Sequence, residues 1–133
     1  MNSPSLNIRS RTARKSQSDV VLKELPIAQI GTTSLTSFRL SVLVAAYNER
    51  HVVEASLRRV LALEHELISS LEVIVVDDFS TDGTWQILQQ LAAKDDRVLL
   101  LRNERNLGKG AALRKAIEHS TGDITIVHDA DLE

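Results

Sequence analysis

The chain has 133 residues, of which 43% are hydrophobic and 26% are charged, and this suits one globular domain with a modest core. The absence of cysteine excludes disulfide bonds and thiolate metal sites and fits a reducing compartment, and no apolar run approaches the roughly 20 residues of a membrane-spanning helix. The net charge of −2 combines +4 in residues 1–39 with −6 in the remainder, and this acidic remainder argues against a nucleic-acid partner, which would require a basic face.

The first 38 residues differ in character from the rest of the chain. Residues 1–38 are rich in Ser, Thr, Arg and Asn and show no sustained hydrophobic period, which predicts a mostly disordered basic leader. Within it, residues 22–30 could form one short helical turn around Pro26, and the basic stretch 9–15 could contact anionic lipid or act as a targeting segment. A solvated tail is the ordinary interpretation of such a charge run. We therefore place the folded domain at residues 39–133.

The folded domain alternates between two hydrophobic patterns, one typical of strands and one typical of helices. Apolar runs predict four strands, at 40–46, 71–76, 98–101 and 124–127. Apolar residues at helical spacing predict three helices between the strands, marked by Val53, Leu57, Val60 and Leu61, by Thr84, Ile87, Leu88 and Leu91, and by Ala112, Leu113, Ala116 and Ile117. The predicted order is β-α-β-α-β-α-β with short loops.

Residues at the predicted helix ends add local detail. Ser80-Thr81-Asp82-Gly83 offers N-cap oxygens for the second helix. Trp85 lies beside the apolar stripe of that helix and is expected in the core. Gly122 is expected to close the third helix with a positive φ.

This alternation predicts both the fold class and the edge at which ligands bind. It indicates an α/β fold, with a doubly wound, mostly parallel sheet of Rossmann-like nucleotide-binding topology and helices on both faces. In such sheets ligands bind beyond the carboxyl ends of the strands. Polar segments follow all four predicted strands: Tyr47-Asn48-Glu49, Asp77-Asp78, Asn106 to Gly110, and Asp129 to Glu133. Each alone could be a turn or a helix cap, but together they indicate one polar site.

Asp129-Ala130-Asp131, with Glu133, carries the strongest chemical signal. Three carboxylates stand at alternate positions just past the last predicted strand, where a period of two brings side chains toward one side of the backbone. Clustered carboxylates repel one another unless a cation neutralises them. A divalent ion held there could bridge two phosphates and offset the charge of a leaving diphosphate. The alternative is a turn with helix-capping acids, and the neighbouring His128 is expected to be structural.

Polar residues after the first two strands are further candidates. One acid of Asp77-Asp78 could accept a hydrogen bond from a base or a ribose hydroxyl, and the other could cap the following helix; Asp78 is the preferred ligand. Glu49 could contact a ligand or simply interact with a helix dipole. Tyr47 could stack on a base or cover the sheet edge.

Gly108-Lys109-Gly110 resembles two glycine motifs and completes neither. Leu113 stands where Gly-x-Gly-x-x-Gly needs its third glycine, which argues against a Rossmann dehydrogenase, and no Ser or Thr follows Lys109 as a P-loop requires. A helix N-terminus still favours phosphate, and Lys109 could assist. A flexible turn into the helix is the alternative.

Taken together, the four polar segments resemble the family-2 glycosyltransferases, and most closely the dolichol-phosphate mannosyltransferase-like branch. The matching residues are Ala45 to Glu49, Val76 to Thr84, Asn106 to Gly110 and Asp129 to Glu133. The resemblance covers residues 39–133 and implies the nucleotide-sugar-binding half of a glycosyltransferase A-type fold. Two positions depart from the family pattern: Ala45 stands where Pro is usual, and Phe79 stands where Gly is usual, in a turn that often requires a positive φ.

The resemblance implies a binding site for a nucleotide-diphosphate-sugar. Tyr47 and Glu49 would contact the nucleoside, with Val76 and Asp78 around the base, and Ala45 would belong to the same site.

The resemblance also implies a metal ion. Asp129 and Asp131 would bind the ribose, the diphosphate and an Mg²⁺ or Mn²⁺ ion, and Glu133 would be a further metal ligand. Ala130 and Lys109 would complete the nucleotide-sugar site.

Members of the family with this pattern transfer a sugar from GDP-mannose or a UDP-sugar with inversion, often to a polyprenyl or dolichyl phosphate. The resemblance therefore implies a cytoplasmic location, at the cytoplasmic membrane face, with peripheral membrane contact by the full-length protein. The acceptor half, with any general base, has no counterpart in the sequence, so we expect a fragment that is inactive alone. The alternatives are a catalytically inactive nucleotide-binding fragment and a receiver-like signalling domain. Asp77-Asp78 resembles the acidic pair that follows the first strand of a receiver domain, but here a whole βα unit precedes the pair.

Overall fold

Five strands and three helices make up the part of the chain that the structure describes. The structure is a computed structural model and describes residues 20–22 and 36–131. Its elements, in chain order, are β1 Val20–Leu22, β2 Phe38–Ala46, α1 Val53–Leu61, β3 Ile68–Asp77, α2 Thr84–Lys94, β4 Val98–Arg102, α3 Lys109–His119 and β5 Ile124–Val127. The predicted order of four strands and three helices is confirmed from β2 onward.

The strands form one sheet in the order β1-β5-β2-β3-β4. The four strands from β2 to β5 pair in parallel, and β1 pairs antiparallel with the outer edge of β5. Parallel neighbours need a crossover, and the intervening helices supply it. The predicted α/β fold with a mostly parallel sheet is therefore confirmed, and all four parallel strands direct their carboxyl ends to the same edge.

Helices cover both faces of the sheet. On one face α1 and α2 pack on β2 and β3 through a core that includes Val53, Leu57 and Leu88. On the other face α3 packs through Ala112 and Ala116, whose small side chains meet the core residues Leu43, Ile74 and Val76. The central strand β2 is apolar from Val42 to Ala46, where helices cover both of its faces.

Two side chains that sequence periodicity assigns to the interior lie partly outside it. Ile117 continues the apolar stripe of α3, yet 52% of its surface is exposed because the buried side of that helix is carried by Ala112 and Ala116. Trp85 is half-buried, and the guanidinium of Arg102 lies 4.8 Å from the centroid of its ring. The core prediction is wrong for Ile117, and Trp85 packs against a cation.

Gly122 lies beyond the C-cap of α3, which is Ser120, so the predicted role of Gly122 in closing that helix is wrong. Its φ is not positive, unlike that of Gly83 or Gly108. A Cβ at this position would lie 2.5 Å from Ser41 Oγ and 2.8 Å from the carbonyl oxygen of Arg39. Glycine is therefore required here by the close approach of the β2 backbone.

The predicted leader falls largely outside the described residues. Positions 1–19 and 23–35 are not described, and the predicted helical turn at 22–30 lies among them apart from Leu22. Val20–Leu22 forms β1 and so departs from the predicted disorder, and β2 begins at Phe38, one residue before the predicted domain boundary. Among residues 20–22 and 36–131, no helix has the length and apolar character to cross a membrane.

Candidate functional site

An open cleft of about 470 Å³ lies at the carboxyl ends of β2, β3 and β5. Eight of the nine predicted nucleotide-sugar-binding residues line it: Ala45, Tyr47, Glu49, Asp78, Lys109, Asp129, Ala130 and Asp131. The ninth, Val76, is fully buried under α3 and supports the cleft floor without lining it. Glu133, the predicted further metal ligand, lies outside the described residues.

The wall after β2 is fixed by hydrogen bonds to the loop after β3. Asn48 has a φ of 52°, a left-handed conformation that Asn tolerates better than most residues. Its backbone N–H donates to Ser80 Oγ at 2.9 Å, and its side-chain oxygen accepts from the backbone N–H of Thr81 at 2.9 Å. The N–H of Glu49 donates to Thr84 Oγ1 at 2.9 Å. These bonds hold Tyr47 and Glu49 at the mouth of the cleft.

Asp77 organises the turn at the end of β3. Its carboxylate is fully buried and accepts from the backbone N–H of Ser80 at 3.1 Å, the Ser80 hydroxyl at 2.5 Å and Arg102 Nε at 3.0 Å. The turn contains Phe79 at a φ of 66°, so the expected positive φ is present despite the bulky side chain. Arg102 lies 4.7 Å from the centre of the Phe79 ring and stabilises it through a cation–π contact.

Asp77 does not cap α2. That helix begins at Thr84, and Asp82 Oδ1 accepts from the Thr84 backbone N–H at 3.0 Å and from its hydroxyl at 2.6 Å. The N-cap residue is Gly83, which has no side-chain oxygen, so the predicted side-chain N-cap is absent and Asp82 bonds Thr84 from one position before the cap.

Asp78 ties the β3 end to the loop before α3. Its side chain is only 2% exposed, and three donors converge on it. Oδ1 accepts from Asn103 Nδ2 at 2.8 Å and from the backbone N–H of Leu107 at 2.9 Å, and Oδ2 accepts from the N–H of Gly108 at 2.8 Å. Asp78 therefore shapes one wall of the cleft, and its contact with a nucleotide stays a prediction.

The start of α3 continues the wall that Asp78 holds in place, opposite the turn after β5. Gly108 precedes the helix with a φ of 98°, and Lys109 is the first helical residue. The first N–H groups of a helix have no partner inside the helix and favour anions. Lys109 Nζ reaches Asp129 Oδ1 at 2.7 Å. A cation and a helix N-terminus thus face two carboxylates across the cleft.

Asp129 and Asp131 flank a buried alanine. β5 ends at Val127, as predicted, and the two carboxylates belong to the turn that follows it. Ala130 is 4% exposed and packs in the core under α1, while the residues on either side are exposed. Burial of this small side chain fixes the turn and leaves both carboxylates at the cleft.

The cleft has an excess of negative charge. Burial, together with the charges of Asp131 and Asp82, raises the pKa of Glu49. Two exposed carboxylates at Asp129 and Asp131 are hard oxygen donors of the kind that Mg²⁺ and Mn²⁺ prefer, so the donor set fits a divalent ion that takes its other ligands from phosphate and water. No group of three or more His, Cys, Asp or Glu within residues 20–22 and 36–131 forms a complete metal site.

His128 is structural, as expected from the sequence. Its Nε2 lies 2.8 Å from Ser56 Oγ, and its backbone N–H donates to the carbonyl of Leu43 at 2.9 Å. Burial lowers the pKa of its imidazole, although the charge of Asp129 acts in the opposite direction. The ring therefore fastens the β5 end to α1.

Three further residues line the cleft in addition to those predicted individually to bind the nucleotide-sugar: Ala46, Asn106 and Gly108. Asn106 Nδ2 donates to the Asp78 carbonyl at 3.3 Å, and Gly108 supplies an N–H to the Asp78 carboxylate. The signal for both was the polar, glycine-containing loop before α3, in which sequence reasoning assigned a role to Lys109 alone.

The chain matches one protein family over most of its length. The family model described as "Glycosyl transferase family 2" matches residues 41–133. The chain is 40% identical over 95 residues to glycosyltransferase AglD of Haloferax volcanii, covering 70% of this chain and 15% of AglD. It is 37% identical over 95 residues to the undecaprenyl-phosphate 4-deoxy-4-formamido-L-arabinose transferase of Pseudomonas fluorescens, covering 71% of this chain and 28% of that protein.

Solved structures show the same fold. The mannosyltransferase PcManGT of Pyrobaculum calidifontis, in complex with GDP-Man and Mn²⁺, matches with a TM-score of 0.62 and 28% identity over 96% of this chain and 35% of its own. TarS residues 1–349 of S. aureus, in complex with UDP, match with a TM-score of 0.63 and 29% identity over 70% of this chain and 27% of that chain. The chain thus spans 15–35% of the length of these four proteins.

Proposed function

The chain belongs to glycosyl transferase family 2, and on that premise we propose that residues 39–133 bind a nucleotide-diphosphate-sugar in the cleft together with a divalent metal ion. The observation that carries this proposal is the turn in which buried Ala130 holds Asp129 and Asp131 at the cleft, opposite the N-terminus of α3. Carboxylates on one side and a helix N-terminus on the other suit a diphosphate with its metal ion.

The proposed donor lies across the carboxyl edge of the sheet. Its nucleoside contacts Tyr47 and Glu49, and Asp78 forms the wall beside the base above the buried Val76. The diphosphate lies between Lys109 and the Asp129–Asp131 turn. GDP-mannose and a UDP-sugar are the two donors to test first, because similar structures contain GDP-Man or UDP.

Asp129 and Asp131 are the described residues that would hold the Mg²⁺ or Mn²⁺ ion. When bound, such an ion offsets the negative charge that develops on a leaving diphosphate. The chain's own residues orient the donor: Tyr47 and Glu49 fix the nucleoside, and Lys109 approaches the diphosphate from the α3 side.

We further propose a polyprenyl or dolichyl phosphate as the acceptor, because relatives include an undecaprenyl-phosphate sugar transferase. We also propose inversion at the sugar, as the sequence resemblance implies. An acceptor phosphate oxygen would attack the anomeric carbon from the face opposite the diphosphate. The new C–O bond forms as the bond to the diphosphate oxygen breaks, and the diphosphate leaves with the electron pair. The acceptor oxygen is already anionic, so this step requires no general base. Such an acceptor would bring the protein to the cytoplasmic face of a membrane.

A catalytically inactive nucleotide-binding chain is the second candidate, because these residues span only 15–35% of the relatives compared. It shares the donor site, so turnover with a lipid phosphate separates the two. The receiver-domain alternative is excluded by the family match.

Calorimetric titration of GDP and UDP into the 133-residue chain, with and without Mn²⁺, tests the donor site. We expect binding that requires Mn²⁺, loss of that binding in Asp131→Asn, and unchanged binding in Asp96→Asn, which alters an exposed acid in the turn before β4. A folded wild-type chain that binds neither nucleotide would make the donor-site proposal wrong.

A further inference from the structure

An ion pair crosses the cleft between two residues that line it. Lys109 is the first residue of α3, and its Nζ lies 2.7 Å from Oδ1 of Asp129 in the turn after β5. The two residues come from opposite walls and are 20 positions apart in the sequence. The ammonium group therefore neutralises one of the two carboxylates proposed to hold a metal ion.

The ion pair between Lys109 and Asp129 is held together by little free energy. The side chains of Lys109 and Asp129 are 60% and 52% exposed, so water solvates both charges whether they are paired or apart. Exposed pairs of this kind contribute little to folding stability. By contrast, the fully buried Asp77 is paired with Arg102 inside the hydrogen-bond network of the turn after β3.

A metal ion and Lys109 compete for the same carboxylate. A divalent ion that coordinates Asp129 brings a second cation to a carboxylate that already binds the ammonium group, and two cations at this distance repel each other. A diphosphate changes the balance because its oxygens offer Lys109 a new anionic partner beside the N-terminus of α3. The ammonium can then leave Asp129 without losing a charge partner.

We propose that Lys109 is the resident counter-cation of Asp129, which it releases when metal and diphosphate enter together. Lys109 then weakens binding of the metal ion alone and strengthens binding of the diphosphate with its metal, so the cleft favours the complete ligand. This inference rests on the proposed function, because it assigns a regulatory role to a residue of the same donor site.

The test measures metal and nucleotide binding separately in Lys109→Met, which keeps an unbranched side chain one atom shorter than that of lysine and removes its charge. For MnCl₂ alone, followed by the electron paramagnetic resonance signal of free Mn²⁺, we expect binding about two- to fivefold tighter than in wild type. For GDP or UDP at saturating Mn²⁺, followed by calorimetry, we expect binding about tenfold weaker. Lys109→Arg keeps the charge and should restore both values toward wild type.

Lys94→Met is the matched control, because Lys94 lies in the last turn of α2 away from the cleft, and it should change neither affinity. If wild type binds nucleotide with Mn²⁺ but Lys109→Met leaves both affinities unchanged, or shifts them in the same direction, the counter-cation role is wrong and the donor site stands. If folded wild type binds no nucleotide with Mn²⁺, the donor site and the counter-cation role are both wrong.

Discussion

Gly122 lies against Ser41 at the end of the sheet opposite the cleft, and its backbone N–H donates to the Ser41 hydroxyl at 2.8 Å. The Ser41 hydroxyl in turn donates to Glu72 Oε2 at 2.5 Å, and Glu72 also accepts from the backbone N–H and the hydroxyl of Thr121. This network joins β2, β3 and the residues that lead into β5. It therefore sets where β5 enters the sheet, and with it the position of the carboxylates at the far end of that strand.

The contact at Gly122 predicts that Gly122→Ala destabilises the fold. The added Cβ would lie 2.5 Å from Ser41 Oγ and 2.8 Å from the Arg39 carbonyl, and backbone cannot move away as a flexible side chain can. We expect the free energy of unfolding to fall by about 1–3 kcal/mol in urea titrations. Gly110→Ala is the control: its Cβ would meet only Arg114 Nη1, at an ordinary 3.7 Å, and alanine favours a helix. Equal stability of Gly122→Ala and wild type would contradict the close approach.

Glu72 predicts a dependence of stability on pH. Burial alone would raise the pKa of this carboxyl, but hydrogen bonds from Ser41 and Thr121 outweigh it and hold the pKa below the ordinary 4.5. Because the folded-state pKa is depressed, the stabilisation is complete above pH 4.5 and is lost as the pH falls through the folded-state value.

The corresponding variant is Glu72→Gln. We expect it to be about 1–2 kcal/mol less stable than wild type at pH 7, with a smaller difference at pH 3, in urea titrations at both pH values. Glu64→Gln, at an exposed site, should show neither effect. A difference between wild type and Glu72→Gln that grows on acidification would contradict the depressed pKa.

Replacement of Arg102 should change both the stability of the fold and the fluorescence of Trp85, the single tryptophan. Its guanidinium contacts the rings of Phe79 and Trp85 and compensates the fully buried Asp77. Arg102→Met should lower the free energy of unfolding by about 2–3 kcal/mol, because it leaves a buried carboxylate without its cation. The fluorescence spectrum of Trp85 should change in the native state.

Arg58→Met provides the comparison for Arg102. Arg58 forms an exposed i, i+4 pair with Glu54 at 2.7 Å, and such a pair is worth about 0.5 kcal/mol or less. We expect little change in stability and none in Trp85 fluorescence. Comparable losses of stability in the two arginine variants would contradict the larger contribution expected from the Arg102–Asp77 pair.

Replacement of Asp78 should loosen the loop before α3. Asn in its place has one oxygen and cannot accept from Asn103, Leu107 and Gly108 as the carboxylate does. We expect Asp78→Asn to speed hydrogen exchange at the backbone N–H of Leu107 and Gly108, with a stability loss of about 2 kcal/mol. Affinity for GDP or UDP with Mn²⁺ should fall, because this loop forms a wall of the cleft. Unchanged exchange at both amides would contradict the three-donor arrangement.

The order of elements was predictable because each carries a local hydrophobic period. Val53, Leu57 and Val60 repeat at helical spacing, and they are the buried apolar residues of α1. The prediction that Ile117 is buried failed because of tertiary packing. α3 contacts its face of the sheet through Ala112 and Ala116, and a periodic pattern does not show which residues of an apolar stripe make the closest contact.

The site was predictable as a set of residues but not as a set of bonds. Polar residues after parallel strands must meet at one edge, and this rule alone brought Asp78 and Asp129 to one cleft. The donors that surround Asp78 come from 25 to 30 positions further along the chain, where sequence spacing sets no distance. The ion pair of Lys109 with Asp129 could not be predicted from the sequence for the same reason.

The position of β5 in the sheet does not follow its position in the chain. β5 is the last of the described strands, yet it lies between β1 and β2, which are the first two along the chain. Its partner at Ile126 is Val20 on one side and Val42 on the other, so both pairings join distant parts of the sequence. In the described sheet β1 and β2 are therefore joined through β5, which is synthesised after both of them. The strand that leads into the acidic turn is thus also the strand that places β1 in the sheet.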